Sequence, residues 1–526
     1  MGTIFPKNMQ KLICIITFVL AVISGALAQH VSESDSITYM RSCRVGKSRP
    51  GFSPRRARAF SDDATLYIGN RRQLVVMASF QDQDFLEDQQ TTYQKWNRIF
   101  NEENYTEGEY AGSVHDYFMA QSYGQFNLTF DLVFVQLPDG RYKYRSTTQD
   151  DENSQYLVDD IVDALMTRDI DWSIYDWDGD SFVDQMLIVY AGKGMSAGGD
   201  SNTIWPHQWW LSQHLNQETE DPRDYRSYRT VEYGGREYYV DMYCCVQEHV
   251  DLNTTKSSFG TICHEYSHCF GLPDFYTGSS SILKYWELMD AGNYNGLGFC
   301  PCNYSAHERM LMGWLTPVEL STATAVTGIS PLDSEPLAYL IRNDGSENEY
   351  FIVENRRKQG WDAYLPGNGI LVFHVDYDRN LWCSTTEYVN AKKKRYWIIP
   401  ANNTTVSGSS GWAYPYMKQD VLGNDSVVND SLTNTSVPMA KLNNPNVDGT
   451  LLMSKPITAM SVDADGRASF MFMDDTPTFV HGLPLDGEQG GDDAPMYDLQ
   501  GRRLSVPVKG IYIQGNRLKF NKTVAR

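Results

Sequence analysis

The sequence predicts an α/β domain, then an all-β domain of sandwich type, then a short β tail. Three observations carry this. Strand-like and helix-like stretches alternate up to about residue 318. From 319 to 475 only strand-like runs occur, separated by Gly, Asn and Asp and lacking a helical period. A Gly/Asp-rich linker, "LPLDGEQGGDDAP", then precedes short strand-like runs around Gly501, Gly510 and Gly515. With 526 residues the chain is too long for one ordinary core.

In chain order, residues 1–28 form a signal peptide. Lys7 and Lys11 precede an apolar run from Leu12 to Val22, and Ala26-Leu27-Ala28 offers a small-residue cleavage site. Export to the cell surface or beyond is therefore expected. No later stretch is apolar for long enough to span a membrane. Residues 29–65, polar with a basic cluster in "SRPGFSPRRARAF", read as a pro-segment or leader.

The α/β domain spans 66–318. It includes strands at "QLVVMASF" and "NLTFDLVFV", an amphipathic helix between Tyr156 and Arg168, and a central strand at "QMLIVYAG". The β domain spans 319–475, with strands at "AYLIRN", "EYFIVENR", "GILVFHVDY" and "YWIIPA". Residues 476–493 are the linker and 494–526 the tail.

The hydrophobic fraction of 41% and 33 Tyr suit a globular chain with a sizeable core. A formal charge of −21 argues against nucleic acid or an anionic membrane as a partner. Of nine Cys, Cys14 leaves with the signal peptide, and the even remainder allows disulfides in an exported chain.

Metal-binding residue types crowd into "TICHEYSHCFGLPDFY", Thr261 to Tyr276. On a helix, His264 and His268 stand about 40° apart and face one ion, the arrangement that imidazoles use for zinc. Glu265 lies about 100° around from His264, beside the ion and placed to act as general base on its water. Gly271 stops the helix, and Asp274 can then approach as third ligand; the alternative is an Asp that only caps its own loop. Cys263 and Cys269 are each displaced about 100° from the nearer His, so a closed Cys/His site is disfavoured.

"HEYSHCFGLPD" matches the extended metzincin-type pattern HExxHxxGxx(H/D), and "YWELMDAGNYNG" resembles a Met-turn. With "GSVHDYFMAQSYGQFNLTFDL", "IWPHQW", "SAHERMLMGWL" and "YFIVENRRKQGWDAYLPGNGILVFHVD", the chain resembles the immune-inhibitor-A-like secreted metallopeptidases over roughly 65–475. The resemblance implies a zincin-type catalytic domain followed by a β-sandwich, zinc-dependent cleavage of protein or peptide substrates, and structural calcium. It makes His264, His268 and Asp274 the zinc ligands, Glu265 the base and Met289 the methionine packed beneath the metal. Tyr294, with Tyr276 as rival, would donate to the oxyanion.

Asp176, Asp178, Asp180 and Asp184 in "DWDGDSFVD" alternate as calcium ligands can, although Ser181 and Leu187 depart from the EF-hand pattern. A solvated acidic turn is the alternative. Cys43 could hold a zymogen latent through a thiolate on zinc, which would leave an odd cysteine elsewhere. The tail resembles C-terminal sorting or anchoring tails of Gram-negative proteins exported by the type IX route, which implies contact with export machinery. The functional alternative to a peptidase is a catalytically silent adhesin or ligand-binding protein on a protease-like fold.

Overall fold

A computed structural model describes residues 64–146, 153–214, 226–249, 257–278, 280–384, 387–404 and 409–474, together with the strand residues of the tail. The signal peptide, the pro-segment up to residue 63 with Cys43, and the 476–493 linker lie outside the described residues.

The described residues of the first part of the chain hold seven strands: β1 (Gly69–Ser79), β2 (Phe126–Gln136), β3 (Met186–Lys193), β4 (His207–Trp210), β5 (Arg229–Tyr233), β6 (Arg236–Val240) and β7 (Met242–His249). Five of them form a sheet in the order β2-β1-β3-β7-β4, while β5 and β6 pair as a separate hairpin. The sheet is parallel except for its edge strand β4, which runs antiparallel to β7. β3 is central, and seven of its eight residues are buried, which explains why its sequence reads as a continuous apolar run.

Among the described residues, five α-helices of six residues or more accompany the strands: α1 (Gln89–Asn101), α2 (Val114–Gln121), α3 (Ser154–Leu165), α4 (Gly260–Cys269) and α5 (Ala306–Leu311). α2 and α5 open with reciprocal capping boxes. Ser113 and Asp116 cap one, Ser305 and Glu308 the other, each satisfying two N-terminal amides. α3 buries Leu157, Val158, Ile161, Val162 and Leu165 along one stripe, the face its sequence period indicates.

The later strands are β8 (Val318–Glu319), β9 (Thr324–Ile329), β10 (Tyr339–Asn343), β11 (Ser346–Arg356), β12 (Gly369–Asp376), β13 (Tyr396–Ile398), β14 (Tyr416–Gln419), β15 (Asp425–Asn429), β16 (Ile457–Val462) and β17 (Ala468–Phe472). They form a five-stranded sheet, β13-β12-β11-β10-β8, a three-stranded sheet, β16-β17-β9, and a two-stranded ribbon. The five-stranded sheet is a middle layer. Tyr350, Ile352, Leu371 and Phe373 join the core of the first part of the chain. The alternating Phe351, Val353, Ile370 and Val372 face a second core shared with β9, β16 and β17. With both faces dry, the period-2 alternation vanishes from "YFIV" and "GILVF". The described residues up to 474 accordingly form one compact unit, and the tail is a second, with a four-stranded sheet of its own.

Glu349 on β11 is fully buried. It accepts from His374 Nε2 at 2.7 Å, Asn343 Nδ2 at 2.9 Å and the amides of Asn443 and Asn444. Burial works against its charge, but His374 and these donors outweigh it and hold the carboxyl down to about 2. The unfolded chain takes up this proton near pH 4.5, the folded one only near 2. Stability from Glu349 is therefore complete above pH 4.5 and lost as pH falls toward 2. Unfolding free energies measured across that window should fall with acidification, and Glu349→Gln should flatten the slope.

Candidate metal centre

α4 starts with a backbone contact that excludes a side chain. A Cβ on Gly260 would lie 1.9 Å from the Asn293 carbonyl oxygen. All ten helix residues are buried. The helix stops at Gly271, whose φ of 103° turns the chain, with Gly271 N–H donating to the His268 carbonyl at 2.9 Å and Leu272 N–H to Ser267 at 3.2 Å.

His264 and His268 leave one face of α4, their rings 4.9 Å apart. Each is held from behind. His264 Nδ1–H donates to the Leu288 carbonyl at 2.9 Å, and His268 Nδ1–H to the Leu272 carbonyl at 2.7 Å. A carbonyl can only accept, so the proton sits on Nδ1 and both Nε2 atoms turn forward, as metal ligands require. Asp274 arrives from the loop beyond Gly271, with Oδ1 at 3.2 Å from His264 Nε2 and 3.3 Å from His268 Nε2. Glu265 is fully buried beside them, and one ligand atom each of His264, Glu265 and His268 lies within 4.8 Å of the others.

These separations can be tested against a metal. Tetrahedral zinc, with bonds of about 2.0–2.1 Å to imidazole and carboxylate, spaces its ligand atoms by about 3.3 Å. The two His–Asp distances match that edge, and the donor set of two imidazoles and a carboxylate suits the ion.

Burial disfavours the His264 imidazolium, yet Asp274 and Glu265 outweigh it and raise His264 to about 9. Burial likewise opposes the Asp274 carboxylate, but His268 and His264 hold it well below the usual carboxylate range.

Met289 is fully buried, one residue beyond the Leu288 carbonyl, and its own carbonyl accepts from Phe275 N–H at 3.0 Å. Its segment therefore backs both His264 and the Asp274 loop. Tyr294 is half-buried in the 3-10 segment Gly292–Gly298, whereas Tyr276 is buried with its ring 5.8 Å from Tyr388.

In the acidic loop, single carboxylate oxygens of Asp176, Asp178 and Asp184 gather within 4.8 Å of one another. Asp180 stays outside that group and accepts from Phe182 N–H at 2.9 Å. The cause is local: Ser181 has a φ of 76°, which turns the chain there. Arg236 lies against the loop, 3.5 Å from Asp176 Oδ2 and donating to the Gly179 carbonyl.

The cysteine count allows disulfides, but the seven described cysteines are all thiols. Six of them are buried in the core, where a thiol packs as a small hydrophobe. Cys263 and Cys269 belong to this group rather than to the metal centre.

Sequence reading misses the residues that aim the ligands. Leu288 and Leu272 act through main-chain carbonyls and leave no side-chain signal. Asn390, 115 positions from Phe275, donates from Nδ2 to the Phe275 carbonyl at 2.8 Å.

Residues 75–312 match the family model described as the catalytic domain of Immune inhibitor A peptidase M6. The chain is similar to the Pre-pro-metalloprotease PrtV of Vibrio cholerae serotype O1, at 24% identity over 275 residues, covering 45% of this chain and 28% of that protein. It is also similar to the Immune inhibitor A of Bacillus thuringiensis subsp. alesti, at 27% identity over 204 residues, covering 33% of this chain and 27% of that one. The chain thus spans little more than a quarter of the length of either relative.

Proposed function

Because this chain carries a catalytic domain of the immune inhibitor A peptidase M6 family, we propose that it is a secreted zinc-dependent endopeptidase of metzincin type. Zinc is held by His264, His268 and Asp274, and Glu265 is the general base. The observation that carries this reading is the convergence of Asp274 Oδ1 on both imidazole Nε2 atoms at 3.2 and 3.3 Å.

When bound, zinc polarises the scissile carbonyl and lowers the pKa of a water toward about 7. The chain's own residues do the rest. The Leu288 and Leu272 carbonyls keep both imidazoles in the tautomer that presents Nε2. Glu265 takes a proton from the attacking water at its carboxylate and passes it to the leaving amine. Tyr294 is the donor we assign to the oxyanion, because Tyr276 is already packed against Tyr388. The similarity to a metalloprotease and to an immune inhibitor A supports protein substrates.

The same reading places a structural calcium at Asp176, Asp178 and Asp184, supported by their convergent carboxylates. Arg236 supplies part of the counter-charge there, which makes the site a weak one. The sheets beyond residue 318 serve as a β-sandwich, supported by their shared core, and the tail as a sorting or anchoring segment.

Digestion of a protein substrate tests the proposal. Activity should vanish on chelation and return with one zinc per chain; a wild type that holds one zinc and cleaves no protein overturns it. Asp274→Ala should weaken zinc binding by more than the roughly 10- to 100-fold that loss of an outer partner costs. Unchanged zinc affinity would remove Asp274 from the ligand set.

A further inference from the structure

Two of the three proposed ligands stand on a helix, but Asp274 stands on a loop. A carboxylate delivered by a loop binds metal well only if its backbone is held by something else. Both peptide groups of the next residue, Phe275, are used for this, one on each side. Its N–H donates to the Met289 carbonyl at 3.0 Å, and its carbonyl accepts from Asn390 Nδ2 at 2.8 Å. Its ring lies 4.1 Å from that of Tyr396 and 6.3 Å from that of Trp382.

Asn390 is itself locked. It is 6% exposed. Nδ2 also donates to the Tyr396 carbonyl at 2.9 Å, and Oδ1 accepts from the amides of Arg395 at 2.8 Å and Tyr396 at 2.9 Å. Tyr396 then closes the circuit, because its hydroxyl donates to Glu287 Oε2 at 3.0 Å, two residues before Met289. The loop carrying Asp274 is thus gripped between the Met289 segment and the turn that leads into β13.

We infer that Asn390 is a positioning residue for the metal centre, fixing the Asp274 loop through the Phe275 carbonyl. This rests on the assignment of Asp274 as a zinc ligand. Asn390 lies outside the matched catalytic segment 75–312, so a residue of the β region completes the site. The five-stranded middle sheet is, on this view, part of the catalytic apparatus rather than an appended module. The alternative is that Asn390 only ties its own turn, since three of its four bonds go to residues 395 and 396.

Asn390→Asp separates the two. The change is nearly isosteric and keeps the acceptor for Arg395 and Tyr396. It removes both donated bonds and sets a carboxylate against two carbonyls. Asn446→Asp is the matched control. Asn446 is also 6% exposed and donates from Nδ2 to two carbonyls, those of Leu452 and Met453, neither on the Asp274 loop.

In the full chain, zinc affinity is read by competition with a chromophoric chelator, ligand geometry by the visible spectrum of the cobalt-substituted protein, and stability by melting of the metal-free form. Both variants should melt lower. Only Asn390→Asp should weaken zinc binding, by roughly 10- to 100-fold, and alter the cobalt bands. Zinc affinity no lower in Asn390→Asp than in Asn446→Asp overturns the positioning role. Should Asn390→Asp fail to fold, Tyr388→Ala tests the same grip at a half-buried ring beside Tyr276. It should weaken zinc binding with the same sign, and an affinity equal to wild type overturns the inference. A wild type that binds no zinc, or a His264→Ala variant that binds it as well as wild type, overturns the metal reading and this inference with it.

Discussion

Glu265→Gln should keep its zinc and lose about 10²- to 10⁴-fold in the rate of peptide hydrolysis, the range a positioned general base contributes. The substitution suits the site. Glu265 is fully buried on the well-packed α4, and glutamine matches its shape while offering no carboxylate to take a proton. On the proposed reading Glu265 is not a ligand, because Asp274 Oδ1 approaches both imidazoles and completes the set. Zinc content should therefore stay at one per chain. The loss should fall on kcat with KM little changed, since the proton moves only on the way to the transition state. Turnover equal to wild type would dismiss the base, whereas a chain that loses zinc would recast Glu265 as a ligand.

Legibility in the sequence followed the range of the interactions. His264, Glu265, His268 and the stop at Gly271 could be read because a helix fixes their relative directions within a few residues. Asp274 was legible as a position, but what steadies it was not: Leu288 lies 24 positions from His264 and Asn390 lies 115 from Phe275. The strand runs of the β region were recognisable from β-branched and aromatic content. Their layering was hidden, because "GILVFHV" looks the same whether its second face meets solvent-shielding loops or the core of the first part of the chain. Local spacing also gives no sign that Asp180 accepts from Phe182 N–H beside the turn at Ser181.

Arg356→Met should cost about 3–5 kcal/mol of stability, the penalty for leaving buried charge without its partner. Arg356 is fully buried. It grips Asp362 through Nε and Nη2 at 2.7 Å each, Glu354 through Nη1 at 3.0 Å and the Asn303 carbonyl at 3.2 Å. Glu287 and Glu308, both fully buried, lie in the same pocket of charge. Burial pushes Glu287, Glu308 and Glu354 up, and Arg356 works against that rise in all three. A carboxyl raised in the folded state holds its proton above pH 4.5, where the unfolded chain has released it, so stability falls as pH rises from there. Removing Arg356 lets these groups rise further and widens that window. The penalty should consequently be larger at pH 8 than at pH 5 when denaturant unfolding is followed at both. In the Arg356→Met background, Glu308→Gln should recover part of the loss at pH 8 and little at pH 5, because it removes one buried carboxyl that must hold its proton at the higher pH. An equal penalty at both pH values would mean that the guanidinium acts through packing rather than charge.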